Sequence, residues 1–159
     1  MTHQYQAEVG WIRGDARFTD GRYSRAHVWR FDGGIEIPAS ASPSVVPLPL
    51  SMPAAVDPEE AFVAALASCH MLFFLSFAAG GGFVVERYQD TATGVMTKND
   101  HGKLFISKVT LNPAIVFAGA KRPSAADIDA LHHRAHEECF IANSVKTEVI
   151  VAPSTVVFD

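Results

Sequence analysis

One long apolar segment, residues 61–79, constrains the fold more strongly than any other feature of the sequence. This segment is close to the length that crosses a bilayer. However, acidic residues precede it, glycines follow it, its flanks have no excess of Lys or Arg, and no second apolar segment follows. The sequence therefore favours a central helix of a globular domain over a membrane span.

Local signals mark both ends of this helix. Asp57 is a favourable N-cap residue, Pro58 suits the first helical position, and Glu60 can complete a capping box. Gly80 begins a run of three glycines that predicts the end of the helix. Helical spacing predicts a buried stripe that contains Phe62, Ala65, Leu66, Cys69, Phe73, Ser76 and Phe77.

The order of the remaining elements predicts the fold class. A second helix is expected from a Ser124 cap to about Phe140. Short β-prone runs are predicted at residues 5–12, 22–31, 35–37, 83–88, 91–98, 104–111 and 145–151. We therefore expect an α+β fold in which antiparallel sheets pack around two central helices, as a single domain over residues 1–159.

Composition narrows the possible classes of function. The formal net charge of −4 gives no reason to expect nucleic acid or an anionic membrane as a partner. Two cysteines are too few for a secreted disulfide scaffold. The first residues lack the basic and apolar regions of a signal peptide. These features predict a cytoplasmic protein.

The two cysteines, Cys69 and Cys139, are each predicted to lie within a helix. A buried cysteine usually serves packing, because burial raises the pKa of a thiol and makes it inert. If the helices pack together, however, the two thiols can meet as a nucleophile and its resolving partner. A reactive thiolate needs a stabilising positive charge, and Arg25, between Tyr23 and His27 in a strand-like run, is a candidate.

The run from Asp57 to His70 and the run from Ala135 to Ser144 resemble the two cysteine motifs of the OsmC/Ohr family, the thiol peroxidases named for osmotically inducible protein C and organic hydroperoxide resistance. The second motif covers residues 135–144, and the order of elements is also similar along nearly the whole chain. The first motif is matched by Pro58, Glu59, Ala64, Ala65 and Cys69, with Phe62 close in character.

This resemblance implies a role for each site residue. Cys69 would be the peroxidatic thiol, Cys139 the resolving thiol and Glu59 the catalytic glutamate, and the family's arginine falls on Arg25, or alternatively on Arg22. The implied enzyme is a cysteine-based, peroxiredoxin-like peroxidase that reduces organic hydroperoxides through a sulfenic acid and a disulfide. An external dithiol, which the resemblance implies to be of lipoyl type, would recycle it, and neither cofactor nor metal is required.

The position of Glu59 predicts the oligomeric state. Glu59 and Cys69 are about ten residues apart on one helix, which is about 15 Å along its axis. The glutamate therefore cannot reach the thiol of its own chain unless the helix bends sharply. We expect an intertwined homodimer with composite sites, which the resemblance also implies and which would cover excess apolar surface.

Two alternatives remain open. His132, His136 and Cys139 have a spacing on the second helix that could offer three ligands to zinc, although a solvent-facing histidine cluster gives the same pattern. Alternatively, the chain is a redox-inert module that binds a small molecule or lipid in an apolar pocket. For the peroxidase, Phe62, Met71, Phe73 and Phe74 could line an apolar substrate channel, although each of these aromatic residues is individually more typical of the core.

Overall fold

The computed structural model describes residues 2–159, which form two compact units divided between Ala61 and Phe62. The first unit contains one antiparallel sheet in the order β1-β2-β3. Its strands are β1 (Ala7–Gly10), β2 (His27–Phe31) and β3 (Glu36–Ala39), and a short 3-10 helix covers Phe18–Asp20. A turn joins the second and third strands, with Gly34 at a positive φ of 82°.

Helix α1 spans Pro58–Gly80 without interruption. The Asp57 carboxylate accepts a hydrogen bond from the Glu60 backbone N–H at 2.7 Å, and the Glu60 carboxylate accepts from the Asp57 backbone N–H at 3.2 Å. These two bonds form a capping box. The predicted start, cap and end of this helix are therefore confirmed.

The second unit contains two three-stranded sheets and helix α2 (Ala125–Glu138). One sheet, in the order β4-β7-β9, is formed by β4 (Val84–Asp90), β7 (Pro113–Ala118) and β9 (Thr155–Phe158). The other, in the order β5-β6-β8, is formed by β5 (Thr93–Lys98), β6 (Leu104–Leu111) and β8 (Glu148–Val151). A short 3-10 helix covers Ala142–Ser144.

The predicted α+β class is confirmed, but these two sheets are mixed. In each, the first pair of strands is antiparallel, and the last strand, β8 or β9, joins parallel to its neighbour. Parallel pairing follows from the long connection through α2, since parallel neighbours require a crossover. Neither β7 nor β9 is among the predicted strands.

Two core clusters bury the inner side of α1 in the second unit. Phe74 and Ala78 of α1 pack in the first cluster with residues of β7 and α2, so the two helices share a core. Leu66 of α1 packs in the second cluster with Val109 and Leu111 of β6. Although α1 is long and apolar enough to cross a membrane, one side of it packs in these two core clusters.

The predicted buried stripe of α1 is displaced by one position. The buried residues of this helix recur at every fourth position and include His70, whereas the neighbouring Cys69 is only half-buried. Because α1 is apolar on nearly every side, its own periodicity does not select the face that packs inward. The partners on β6, β7 and α2 make that selection.

Candidate active site

The two thiols lie next to each other in the second unit. Cys69, on α1, is half-buried, and Cys139 is 1% exposed. The thiol of Cys69 is close enough to that of Cys139 to raise its pKa, and both cysteines are free thiols. Helices α1 and α2 thus bring together the two sulfur atoms that are far apart in sequence.

Cys139 terminates helix α2 rather than lying inside it. The helix ends at Glu138, and Cys139 has an extended backbone with φ −64° and ψ 110°. The predicted end near Phe140 was therefore too late. Asn143 caps this terminus, because its side-chain amide donates to the carbonyls of Glu137 at 2.8 Å and Cys139 at 3.1 Å.

The environment of Cys139 keeps its thiol protonated. Burial raises the pKa of Cys139 to about 11, and the hydrogen bond with Cys69 adds to this effect. The backbone N–H groups of Ala142 and Ile141 oppose the shift, and that of Ala142 lies 3.4 Å from the sulfur. Near neutral pH, Cys139 is therefore a buried thiol beside the more exposed Cys69.

The aromatic residues considered for a substrate channel lie in different environments. Phe73 contacts the exposed Phe140 edge-on, with the ring centroids 5.0 Å apart. Phe74 is fully buried in the first core cluster, and Phe62 packs against the second. Tertiary packing places Phe74 in the core, which was the expected alternative to its lining a channel.

Arg25 belongs to the first unit, where backbone carbonyls hold its guanidinium. One guanidinium nitrogen donates to the carbonyls of Gly21, at 3.1 Å, and Tyr23, and the group lies 3.7 Å from the centroid of the Tyr23 ring. Within residues 2–159, no carboxylate forms an ion pair with Arg25. The half-buried Glu59 lies in the first turn of α1.

Arg25 lines a cavity of about 500 Å³ within the first unit. Three aromatic rings cluster at this cavity, with centroid separations of 5.8 Å for Trp11–Phe18, 5.3 Å for Trp11–Tyr23 and 4.8 Å for Phe18–Tyr23. Arg22 is exposed and is not among the lining residues. No regular spacing relates these aromatic positions in the sequence, so the pocket could not be predicted.

His132, on α2, has hydrogen-bond partners other than a metal. His132, expected at the solvent-facing surface, is instead 6% exposed and is hydrogen-bonded to His70 and Ser154. Among residues 2–159, no group of three His, Cys, Asp or Glu side chains is arranged to hold a metal ion. The structure therefore offers no geometry in support of the zinc alternative.

A family model described as OsmC-like protein matches residues 51–154, which is more than half of the chain. The chain belongs to the OsmC-like family. The matched range includes both cysteines, so the predicted resemblance to OsmC/Ohr proteins is confirmed. No curated protein matches the chain.

Solved structures show the same fold. An OsmC-like protein of unknown function from Vibrio cholerae is 54% identical, with a TM-score of 0.93 over 98% of this chain and 100% of the other. An OsmC-like protein from Mycoplasma pneumoniae is 16% identical, with a TM-score of 0.72 and 99% of each chain covered. An organic hydroperoxide resistance protein from Elizabethkingia anophelis is 14% identical, with a TM-score of 0.67 over 100% of this chain and 99% of the other.

Proposed function

We propose that this OsmC-like protein is a thiol-dependent peroxidase that reduces organic hydroperoxides. The observation that carries the proposal is the proximity of the thiols of Cys69 and Cys139, the two cysteines of the chain. Membership of the OsmC-like family supports a redox role in general. The name of the Elizabethkingia anophelis protein, which has the same fold, points to organic hydroperoxides as the substrate class.

In the first step, the Cys69 thiolate attacks the O–O bond of the hydroperoxide. A sulfur–oxygen bond forms as the O–O bond breaks, leaving a sulfenic acid on Cys69 and an alkoxide that takes up a proton and departs as an alcohol. Cys69 suits this step because it is the more exposed of the two thiols. A buried Cys139 with a raised pKa is a poor initial nucleophile.

In the second step, Cys139 attacks the sulfenic sulfur. The disulfide forms as the S–OH bond breaks, and the thiol proton leaves with the hydroxyl group as water. The contact between the two side chains favours this condensation over further oxidation of Cys69. An external dithiol, for which we propose a lipoyl-type group, then supplies two electrons and restores both thiols.

We assign the charge stabilisation in this cycle to Arg25 and Glu59. A guanidinium stabilises both a thiolate and a departing alkoxide, and a carboxylate can orient it. Because α1 is unbroken, Glu59 is about 15 Å along the helix axis from the Cys69 of its own chain. The proposal therefore assigns Glu59 and Arg25 to the thiol site of a second copy, in a homodimer.

The aromatic surroundings of Arg25 support an organic substrate. Trp11, Phe18 and Tyr23 provide apolar surface beside the guanidinium. Such a surface favours an organic hydroperoxide over hydrogen peroxide, since burial of the apolar group contributes to binding. The same pocket also favours a second candidate, a redox-inert module that binds a small molecule or lipid.

Intact-mass measurement after one equivalent of tert-butyl hydroperoxide tests the proposal. We expect the wild-type mass to fall by about 2 Da, whereas Cys139→Ser should gain about 16 Da as a sulfenic acid. Cys69→Ser should stay unchanged, and Ser76→Ala, an exposed substitution on α1, should behave as wild type. An unreactive wild type, or a Cys69→Ser variant that reacts equally well, would refute the peroxidase and leave the ligand-binding module.

A further inference from the structure

A buried chain of hydrogen bonds connects three segments of the second unit, outside the thiol pair. Nε2 of His70, on α1, lies 3.0 Å from Nδ1 of His132, on α2. Nε2 of His132 lies 2.7 Å from the hydroxyl of Ser154, which precedes β9. The peroxidase cycle assigns no role to any of these three side chains.

Packing fixes the two imidazole rings in place. His70 is 1% exposed, and its ring is stacked on that of His132 with the centroids 5.3 Å apart and the planes 12° apart. The ring of Phe74 lies 4.4 Å from that of His132 on the core side. The position of the His132 ring is therefore determined by core packing, and Ser154 lies in the short connection between β8 and β9.

Ser154, the last residue in this series of hydrogen bonds, lies at a cavity. Ser154 and His132 line a cavity of about 480 Å³. Asp129 and His136 contribute further polar side chains to its wall, and Val149 contributes apolar surface. A cavity of this size accommodates a small organic molecule next to the serine hydroxyl.

We propose that Ser154 is a nucleophile toward small esters, with His132 as its general base and His70 as the residue that positions His132. A serine hydroxyl becomes nucleophilic when an imidazole nitrogen accepts its proton and a further group orients that imidazole. Ser154, His132 and His70 provide this succession of contacts, and the hydroxyl faces a cavity that can admit the ester.

The proposed reaction has two balanced steps. The oxygen of Ser154 attacks the carbonyl carbon of the ester, its proton passes to Nε2 of His132, and the departing alcohol takes that proton as its bond to carbon breaks. Water then attacks the acyl-serine, gives one proton to His132, and releases a carboxylic acid. The returned proton restores the Ser154 hydroxyl.

The charges around His132 predict an unusual pH profile. Burial lowers the pKa of His132 to about 4, while Asp129 on the same helix acts in the opposite direction. The other titratable neighbours are His70 from α1 and His136 from α2. His132 is therefore neutral and able to accept a proton from pH 8 down to about pH 5.5, over which we expect a constant acylation rate.

The strength of the base sets the expected rate. Within residues 2–159, Nδ1 of His70 has no hydrogen-bond partner. No carboxylate in this range therefore accepts a hydrogen bond from His70 to strengthen His132 as a base. An imidazole with a lowered pKa is also a weak base. We therefore expect slow acylation that is detected more readily as a covalent adduct than as turnover.

A fluorophosphonate probe, which forms a stable adduct with nucleophilic serines, tests the proposal on the full chain. Tandem mass spectrometry should place the adduct on Ser154. Ser154→Ala should lose labelling by about 100-fold. Ser144→Ala is the matched control, because the Ser144 hydroxyl bonds to a backbone carbonyl at 2.7 Å, and it should label as wild type.

A second measurement distinguishes a catalytic role of the hydrogen bonds between His70, His132 and Ser154 from a purely structural role. His132→Gln should reduce labelling to the level of Ser154→Ala, with circular dichroism used to confirm that the variant is folded. If His132→Gln does not fold, the pH profile of wild-type labelling tests the role of His132 instead. Absence of an adduct in folded wild-type protein, equal labelling of Ser154→Ala, or a loss of half the rate near pH 6.5 would overturn the proposal.

Discussion

At the residue scale, the two cysteines differ in exposure, and burial raises the pKa of Cys139. Cys139 is enclosed at the end of α2 and has a pKa of about 11, whereas Cys69 is half-buried on α1. Alkylation by iodoacetamide requires the thiolate and access to the sulfur. The rates of alkylation therefore report this difference directly.

We predict that iodoacetamide modifies Cys69 well before Cys139 in the folded protein at pH 8. At that pH only about 0.1% of a thiol with a pKa near 11 is ionised. The rate at Cys139 should rise by about tenfold per pH unit between pH 8 and pH 10. Cys69→Ala should accelerate it, because the hydrogen bond and charge of Cys69 no longer raise the pKa. Equal rates at pH 8 would contradict the prediction.

The buried histidine pair predicts loss of stability in mild acid. Burial lowers the pKa of His70 and of His132 to about 4 from the ordinary 6.5. Between these values the unfolded chain binds protons that the folded protein does not bind. The free energy of unfolding should therefore fall as the pH decreases from 6.5 toward 4.

The expected decrease is about 2–4 kcal/mol between pH 7 and pH 5, measured by urea denaturation. His70→Asn should reduce this pH dependence because one of the two buried titrating groups is removed. His101→Gln, in the exposed turn between β5 and β6, is the matched control and should retain it. Identical pH dependence in wild type and His70→Asn would show that His70 does not contribute.

At the element scale, the ends of α1 were predictable but its buried face was not. Asp57, Glu60 and the glycines after the helix act through local backbone hydrogen bonds, which a sequence records directly. The inward face depends on distant partners on β6, β7 and α2. Strand β7 begins at Pro113 and is mostly buried, so it lacks the polar alternation that would reveal it.

The same distinction applies to the candidate site. Cys69 and Cys139 were predicted from their motifs, because the residues of each motif are neighbours in sequence. The contact between His70 and His132 joins positions 62 residues apart, and no local pattern encodes it. The exposed histidine cluster was therefore the wrong interpretation of His132, since helical spacing alone does not show which side the core covers.

Gly94 determines how closely β5 approaches α1. A Cβ atom at this position would lie 2.7 Å from Cγ2 of Val63, a short branched side chain that cannot easily move away. We predict that Gly94→Ala lowers the free energy of unfolding by about 1–3 kcal/mol. Gly33→Ala is the control, because a Cβ atom there would have no neighbour within 4 Å and urea denaturation should show little change. Equal effects of the two substitutions would contradict this account.

At the scale of the whole molecule, α1 leaves apolar surface without a partner in the single chain. Leu72, in the middle of this helix, is 60% exposed. Large exposed apolar surfaces commonly mark subunit interfaces. Together with the separation of Glu59 and Cys69 along α1, this exposure supports the proposal that the active form is a homodimer with composite sites.

Mixed dimers distinguish a composite site from a site within one chain. Glu59→Gln and Cys69→Ser should each reduce hydroperoxide turnover when purified alone. If Glu59 serves the thiol of the partner, a heterodimer of the two variants contains one intact site and one doubly defective site. An equal mixture that exchanges subunits should then recover about a quarter of wild-type turnover, because half of its dimers carry one working site of two.

The pair Cys69→Ser and Cys139→Ser provides the matched control for this experiment. Cys69 and Cys139 contact each other within one chain, so mixing these variants restores no complete thiol pair and should recover no turnover. Light scattering should show a dimer, with about twice the 17.2 kDa mass of the chain, in every sample. If subunits exchange but neither mixture recovers turnover, Glu59 and the thiols of one site belong to the same subunit. Recovery of turnover only in the mixture of Glu59→Gln and Cys69→Ser would establish that each site contains residues of both chains.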